Sequence, residues 1–456
     1  MGSGMLRHLV FGFGLLSATM LSHTAFAGAG GTLQIVISKD KQSLTVYDGD
    51  TVVTTSKVST GKAGHTTPSG IFSILEKRKY HESNIYSNAP MPWMQRLTWS
   101  GIALHEGVVP NYPASHGCIR MPGAFAQSLY QMTERGAHVI VTDAPVTPER
   151  IESAALFLPR KPLPNGPLFP DVELRTSSIR GTSKPVEVAM NVVPNNPAAT
   201  HSDVVTDAPA AGAEEQDAAP LRILITRRGE RETLMDAQVL LQDLGFETGG
   251  TDGLAGPMTR SAIAGFKRWK NISPKGPLVT PEFLAALYES AGKTQPPAGQ
   301  IMVRQNFEPL FEAPVGIKDP EIALGTHFLT VDKLDRRAET AEWHGMTVPN
   351  ELSAATMRRL GITVADDPNA SGAAARTIDR IEIPADIRDR IETLMTDGTS
   401  ITINDEGLGP ETGKGTDFVT ITRSQPKVAA AETSIAKPRP VRQPQAAPRY
   451  RTIGLY

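Results

Sequence analysis

The chain of 456 residues is longer than one hydrophobic core usually organises, so two or three domains are expected, and 36 Pro with 40 Gly imply that part of it is linker. Lys and Arg number 46 against 48 Asp and Glu, and the resulting net charge of −2 gives no basis for nucleic-acid binding or a generally membrane-attracted surface. One cysteine rules out an intramolecular disulfide, so the fold does not depend on oxidative cross-links.

The N-terminus has the parts of an export signal. Arg7 and His8 make a weak basic region, Leu9 to Leu21 is mostly apolar, and Ala25-Phe26-Ala27 fits the small-x-small rule, so residues 1–27 are expected to be cleaved as a signal peptide. The apolar run is shorter than the roughly 20 residues a membrane helix needs, and no membrane span is expected once it is removed. From Leu33 the apolar residues alternate: Leu33, Ile35 and Ile37, then Leu44 and Val46, then Val52 and Val53 after the turn Asp48-Gly49-Asp50. That is a β-meander. Thr67-Pro68-Ser69-Gly70 makes a further turn before a strand at Ile71 to Ile74, and a helix from Gly123 to Glu134 and a strand at His138 to Val141 close the region. Residues 28–144 therefore read as one mainly-β domain, a sandwich or barrel of short strands.

Within this domain, Cys118 stands two residues after His116 and thirteen after His105. A thiol is a weak nucleophile until a base or electropositive surroundings raise its thiolate fraction, and two imidazoles lie close in sequence. With Ser115 to Met121 extended, His116, Cys118 and Arg120 project from one face. Gly117 leaves the main chain bare, which suits approach of a substrate carbonyl to N–H donors. These residues sketch acyl transfer through a thioester; a buried structural cysteine is the alternative.

The cluster resembles the L,D-transpeptidase family, in which an upstream His is followed by Ser-His-Gly-Cys, an apolar residue and Arg or Asn. Here those positions are His105, Ser115, His116, Gly117, Cys118, Ile119 and Arg120. Pro90 to Met94, Trp99 to His105, and Thr60-Gly61-Lys62 followed by Thr67 to Phe72 look like the same family. The resemblance implies Cys118 as nucleophile, His105 as the base that takes the thiol proton, the main-chain N–H groups of His116, Gly117 and Cys118 as oxyanion donors, and no metal or other cofactor. Arg120 is then a bidentate fork for a substrate carboxylate or a structural ion-pair partner, and Ser115 a binding residue that orients His105 or His116. The implied substrate is peptidoglycan. A tetrapeptide stem would lose its terminal D-alanine, and an amine on a second stem would take the acyl group to form a 3–3 cross-link. A lysine of an outer-membrane protein and water are alternative acceptors, giving a wall tether or hydrolysis; a non-catalytic wall-binding scaffold is the remaining rival. The implied location is the periplasm of a Gram-negative bacterium.

Residues 145–220 turn to Pro, Ala, Asn and Thr, with too few apolar side chains to offset ordering entropy, and read as a disordered linker in which only Ile151 to Leu158 suggests a short helix. Residues 221–291 read as a helical unit: Leu234, Ala237, Leu241 and Leu244 make one face, Ala262, Ile263, Phe266 and Trp269 a second, and Pro281 to Ser290 a third helix. Asp252-Gly253, Gly256-Pro257, Thr259 and Phe266 resemble the peptidoglycan-binding-like three-helix family, with Lys267 where that family usually has Gln. Asp252 either caps its turn or touches ligand. Residues 301–423 carry enough apolar side chains for an α+β region of uncertain fold, interrupted by a flexible Ala365 to Arg376. A helix is expected over Pro384 to Met395, and strands at Ser400 to Asn404 and Phe418 to Thr422. Glu321 to Phe328 faintly echoes Thr67 to Phe72 with no cysteine nearby, so a degenerate repeat stands beside an unrelated module as a reading of this region. Residues 424–456 read as a disordered basic tail.

Overall fold

The computed structural model describes residues 33–83, 88–161 and 218–423; the expected signal peptide, most of the expected linker and the basic tail lie outside the described residues. The alternating segment folds as β1 (Gln34–Ser38), β2 (Ser43–Asp48) and β3 (Thr51–Lys57), and β4 (Ser69–Ser73) follows. Next come four short strands, β5 (Glu76–Arg78), β6 (Met94–Arg96), β7 (Ala103–Glu106) and β8 (Ile119–Met121), then α1 (Gly123–Met132) and β9 (His138–Thr142).

Two sheets result. In the first the order is β4-β9-β1-β2-β3, with β9 parallel to β1 and the other pairs antiparallel; in the second it is β5-β6-β7-β8, with β8 parallel to β7. Alternation turns Ile35, Ile37, Val46, Phe72 and Val139 inward, where they meet Leu104, Ile119, Met121 and Leu129 in one fully buried cluster. Burying each such side chain favours folding by about 1.5–3 kcal/mol. The second sheet is thereby pinned to the first, and with it β7 and β8, which flank the candidate site.

The alternating pattern leaves one feature of β1 unannounced: it is buried on both faces. Its outward side chain Val36 joins Tyr47, Ile71 and Ile140 against Phe328, Met346 and Val348 from the C-terminal region. That region begins earlier than the sequence suggests. β10 (Glu149–Ile151) pairs with a strand almost two hundred residues away, Ile151 opposite Trp343. No helix forms over Ile151 to Leu158. Leu156 and Phe157 instead enter the C-terminal core, where the Trp343 indole N–H donates to the Phe157 carbonyl at 3.0 Å. The expected linker is thus anchored at its start, because two large apolar side chains find a distant core.

Likewise, β11 (Arg222–Arg227) is not part of the helical unit to which residues 221–291 were assigned; it is a central strand of an eight-stranded sheet. The helices α2 (Glu230–Asp243), α3 (Pro257–Trp269) and α4 (Pro281–Ser290) lie between β11 and β12 (Gly299–Gln305), which pair antiparallel with Arg227 opposite Gly299. Leu234, Ala237, Leu241, Ile263, Phe266, Phe283 and Leu287 form their separate core. Asp252 caps its turn, its carboxylate accepting the Leu254 N–H at 2.8 Å. The chain continues as β13 (Glu308–Ile317), β14 (His327–Asp335), β15 (Thr340–Thr347), α5 (Ala354–Leu360), α6 (Ala373–Ile378), β16 (Ile381–Glu382), α7 (Ala385–Leu394), β17 (Ser400–Asn404) and β18 (Thr420–Thr422). The expected flexible stretch from Ala365 to Arg376 contains most of α6, which packs Ala373 and Ala374 inward. The large sheet runs β10-β15-β14-β17-β11-β12-β13-β16, and β18 pairs with β4 as the sixth strand at the edge of the first sheet.

Candidate active site

The parallel pairing of β7 with β8 sets the site, placing His105 opposite Arg120 and Leu104 opposite Ile119. Cys118 immediately precedes β8, half-buried, its thiol donating to the Gly101 carbonyl at 3.3 Å. A cavity of about 650 Å³ opens here, and Cys118, His105, His116, Ser115 and Arg120 all line it, together with Arg96, His81, Met91, Met94 and Glu106.

His105 is buried, and its Nδ1–H donates to the Glu106 carbonyl at 2.7 Å. That bond assigns the proton to Nδ1 and leaves Nε2 with the lone pair a base needs. Burial pushes its pKa down to about 4, with Arg120 and His81 adding to the shift and the Glu106 bond opposing it. Burial also pushes the Cys118 thiol up, against the Ala103 main chain, Arg120 and Arg96, which favour the thiolate. At neutral pH the cavity they share therefore holds a neutral imidazole and a protonated thiol, a base waiting for a proton rather than a preformed ion pair.

The segment before β8 departs from the extended expectation. Only Ile119–Met121 is strand, and Gly117 turns the chain at φ +119, a left-handed value that favours glycine. A Cβ there would lie 3.0 Å from Ile102 Cδ1. His116 consequently does not share a strand face with Cys118; it is exposed and stacks edge-on against His65, centroids 4.7 Å apart. Residual desolvation, then Lys62, His65 and Arg120, hold its pKa below the ordinary imidazole range. Ser115 orients neither histidine through its hydroxyl: its Oγ accepts the Gly117 N–H at 3.1 Å and donates to the Cys118 carbonyl, fastening the turn. The Gly117 N–H is thereby committed, and its carbonyl accepts from Thr67 Oγ1 at 2.7 Å. The Thr67-Pro68-Ser69-Gly70 turn thus buttresses the loop that carries the thiol.

Arg120 packs its stem on Gly107 and makes no salt bridge among the described residues. Sequence reasoning missed Arg96, His81 and His65. Arg96 shares the cavity-facing side of β6 with Met94, a period-two signal, and is held by Glu76 at 2.8 Å. Burial opposes ionisation of Glu76, yet Arg96 and Arg78 hold its carboxyl below the usual range. The cavity therefore presents two guanidinium-bearing residues near one thiol, a setting suited to a substrate with carboxylates around a reactive carbonyl.

Residues 33–141 match the model of the L,D-transpeptidase catalytic domain family, YkuD. Solved structures with similarity include L,D-transpeptidases from Stackebrandtia nassauensis (26% identity, 24% of this chain and 55% of that one, TM-score 0.23) and Xylanimonas cellulosilytica (28%, 24% and 59%, 0.22). An L,D-transpeptidase from Mycobacterium smegmatis aligns at 24% identity over 24% of this chain and 58% of that one, with a TM-score of 0.23. The chain spans a little over half the length of these proteins. No curated protein matches it. The catalytic-domain match covers both sheets, the second of which lines the cavity, and L,D-transpeptidase chemistry acts on peptidoglycan. Among the described residues no helix is long and apolar enough to cross a membrane.

Proposed function

We propose that this protein is an exported L,D-transpeptidase that joins peptidoglycan stems through a thioester on Cys118, forming 3–3 cross-links. The observation that carries the reading is the Nδ1–H bond of His105 to the Glu106 carbonyl, which leaves a neutral Nε2 in the cavity that Cys118 shares. As substrate enters, Nε2 takes the thiol proton and Cys118 sulfur attacks the carbonyl joining the third and fourth stem residues. The tetrahedral oxyanion is held by main-chain N–H groups of the turn; with Gly117 committed to Ser115, His116 and Cys118 are the donors proposed. The imidazolium then gives its proton to the departing amine of D-alanine, leaving the thioester. An acceptor amine attacks the thioester, His105 removes its proton, and the thiolate leaves and is reprotonated. Arg120 and Arg96 are assigned to the carboxylates of the donor stem, and the helices α2, α3 and α4 to holding wall polymer near the site.

Mass spectrometry of the mature chain incubated with disaccharide-tetrapeptide tests this. A dimer with one D-alanine lost per bond, absent with Cys118→Ala, is the expected result. Loss of D-alanine without dimer would indicate water as acceptor. No product from the wild-type chain would sink the reading.

A further inference from the structure

The two large sheets repeat one plan. β4-β9-β1-β2-β3 has β9 parallel to β1 and all else antiparallel; β14-β17-β11-β12-β13 has β17 parallel to β11 and all else antiparallel. Registers agree residue by residue. Ile35 sits between Val139 and Val46, as Ile223 sits between Ile401 and Val303. Both second strands carry a bulge at the same place, after Val46 and after Val303. Ile71 faces Ile140 as Phe328 faces Thr402, and Ser59 bridges Arg120 as Gly316 pairs with Glu382.

The details between strands match too. Gly136 donates to the Ile74 carbonyl and Gly398 to that of Val331, both glycines at positive φ. Pro122 precedes α1 and Pro384 precedes α7. Lys39 pairs with Asp143 at 2.9 Å and, from the corresponding ends of first and last strands, Arg227 with Asp405 at 2.7 Å. The numbering offset is 262 from Arg120 and Glu382 through Val139 and Ile401. Carried back to Cys118, it falls on Arg380.

We infer that residues 221–405 are a second, sealed copy of the catalytic fold, interrupted after its first strand by the three helices, and that its role is to dock on and hold the catalytic sheet. Sealing comes from Arg380. Its guanidinium donates to the carbonyls of Lys318, Asp319, Ile322 and Ala323 at 2.7–3.2 Å, closing the loop that follows β13. The corresponding loop after β3 carries Lys62 and His65 beside the open cavity. The base is gone as well: among the described residues β16 pairs only with β13, so no strand there answers to β7 and its His105. Docking uses Phe328, Met346 and Val348 on the outer face of the catalytic sheet, and the chain then returns as β18 to cover the edge of β4. Arg222, buried in the copy, reaches across to the Gly136 carbonyl at 2.8 Å.

Three measurements on the full mature chain test this, and none needs the reaction of Cys118 to be cross-linking. An experimental structure should keep the two equivalent strand orders; a different order in residues 221–405 overturns the duplication. Arg380→Ala should open the loop after β13, read as faster hydrogen exchange of the main-chain N–H groups of residues 318–323 than in the wild-type chain; unchanged exchange there overturns the sealing. Calorimetry should give one transition for both sheets, lowered as a whole by Val348→Ala and by Met346→Asp. Two separate transitions, with that of residues 33–144 unmoved by either substitution, overturn the docking role.

Discussion

Cys118 and Arg380 precede strands of the same sense and register, yet one lines an open cavity and the other knots a loop shut. The five-stranded plan around them is common to both halves of the molecule, so that plan is not what makes a reactive site. What differs is the neighbour: the first half lays β5, β6 and β7 beside β8, bringing His105, Arg96 and His81 to the cavity, and the second half has no such sheet. On the proposed reading the reactive groups sit on the supplementary sheet, and the shared sheet supplies rigidity.

The sharpest way to break this comparison is to remove the base while keeping the thiol. His105→Gln should lower acylation of Cys118 by about 10²–10⁴-fold, the usual worth of a positioned general base, whereas Cys118→Ala should abolish it. Single-turnover formation of the thioester, followed by intact-protein mass, reads both. A loss below tenfold for His105→Gln would move the base elsewhere, His116 first.

Next in size is Gly117→Ala. A residue forced to φ +119 with its Cβ 3.0 Å from Ile102 costs on the order of 1–3 kcal/mol and turns the proposed Cys118 N–H donor away from the oxyanion. Acylation should fall at least tenfold with a lowered melting temperature. If Gly64→Ala, a positive-φ glycine with open space around it, falls equally, the effect is general strain and not the site.

Acid sensitivity is common to both halves. His105 and His327 both have pKa values lowered to about 4, burial being the largest cause, while an unfolded imidazole titrates near 6.5. Between pH 6.5 and 4 the unfolded chain binds more protons, so stability is complete above 6.5 and falls as pH drops, by about 3 kcal/mol for each histidine. Asp366, raised to about 6 by burial and then by Asp405, works in the opposite direction over much of that window. The contribution of His327 is therefore read by difference: His327→Gln should flatten the dependence of the urea midpoint between pH 7 and 4.5. Acylation itself should rise from neutral into alkaline pH, because the thiol is raised and His105 is already neutral.

Much of the site was readable from the chain because its chemistry is local: Ser115 to Arg120 is continuous, and His105 lies one short loop away. The fold of residues 33–143 was readable for the same reason, since its hairpins leave alternation within a few residues. β10 and β11 were not. Their partners lie far off, Ile151 with Trp343 and Ile223 with Ile401, and non-local pairing prints nothing beside the strand itself. Thr226 and Arg227 also run straight into α2, so a six-residue strand looked like the approach to a helix. The turn at Gly117 escaped because alternation assumes φ below zero. Arg96 and His81 escaped because each sits in a segment whose cavity-facing side is decided by β5 and β7.

The smallest effect is expected from Arg380→Ala, and it bears most directly on the comparison. Arg380 makes four hydrogen bonds to main-chain carbonyls of one loop and none to the catalytic half. Burial lowers its pKa, with Arg227 adding to the shift and Asp319, Asp405 and Asp366 opposing it; a guanidinium is the cation those carbonyls need. Truncation leaves the exposed Lys318 and Asp319 carbonyls to find water and that of Ile322 still bonded to Arg227, so only the carbonyl of buried Ala323 loses its partner and stability should fall by only about 1–3 kcal/mol. Acylation of Cys118 should not change. A drop in acylation without a drop in melting temperature would mean that the sealed half speaks to the open one through this loop, and the division of labour between the two sheets would have to be redrawn.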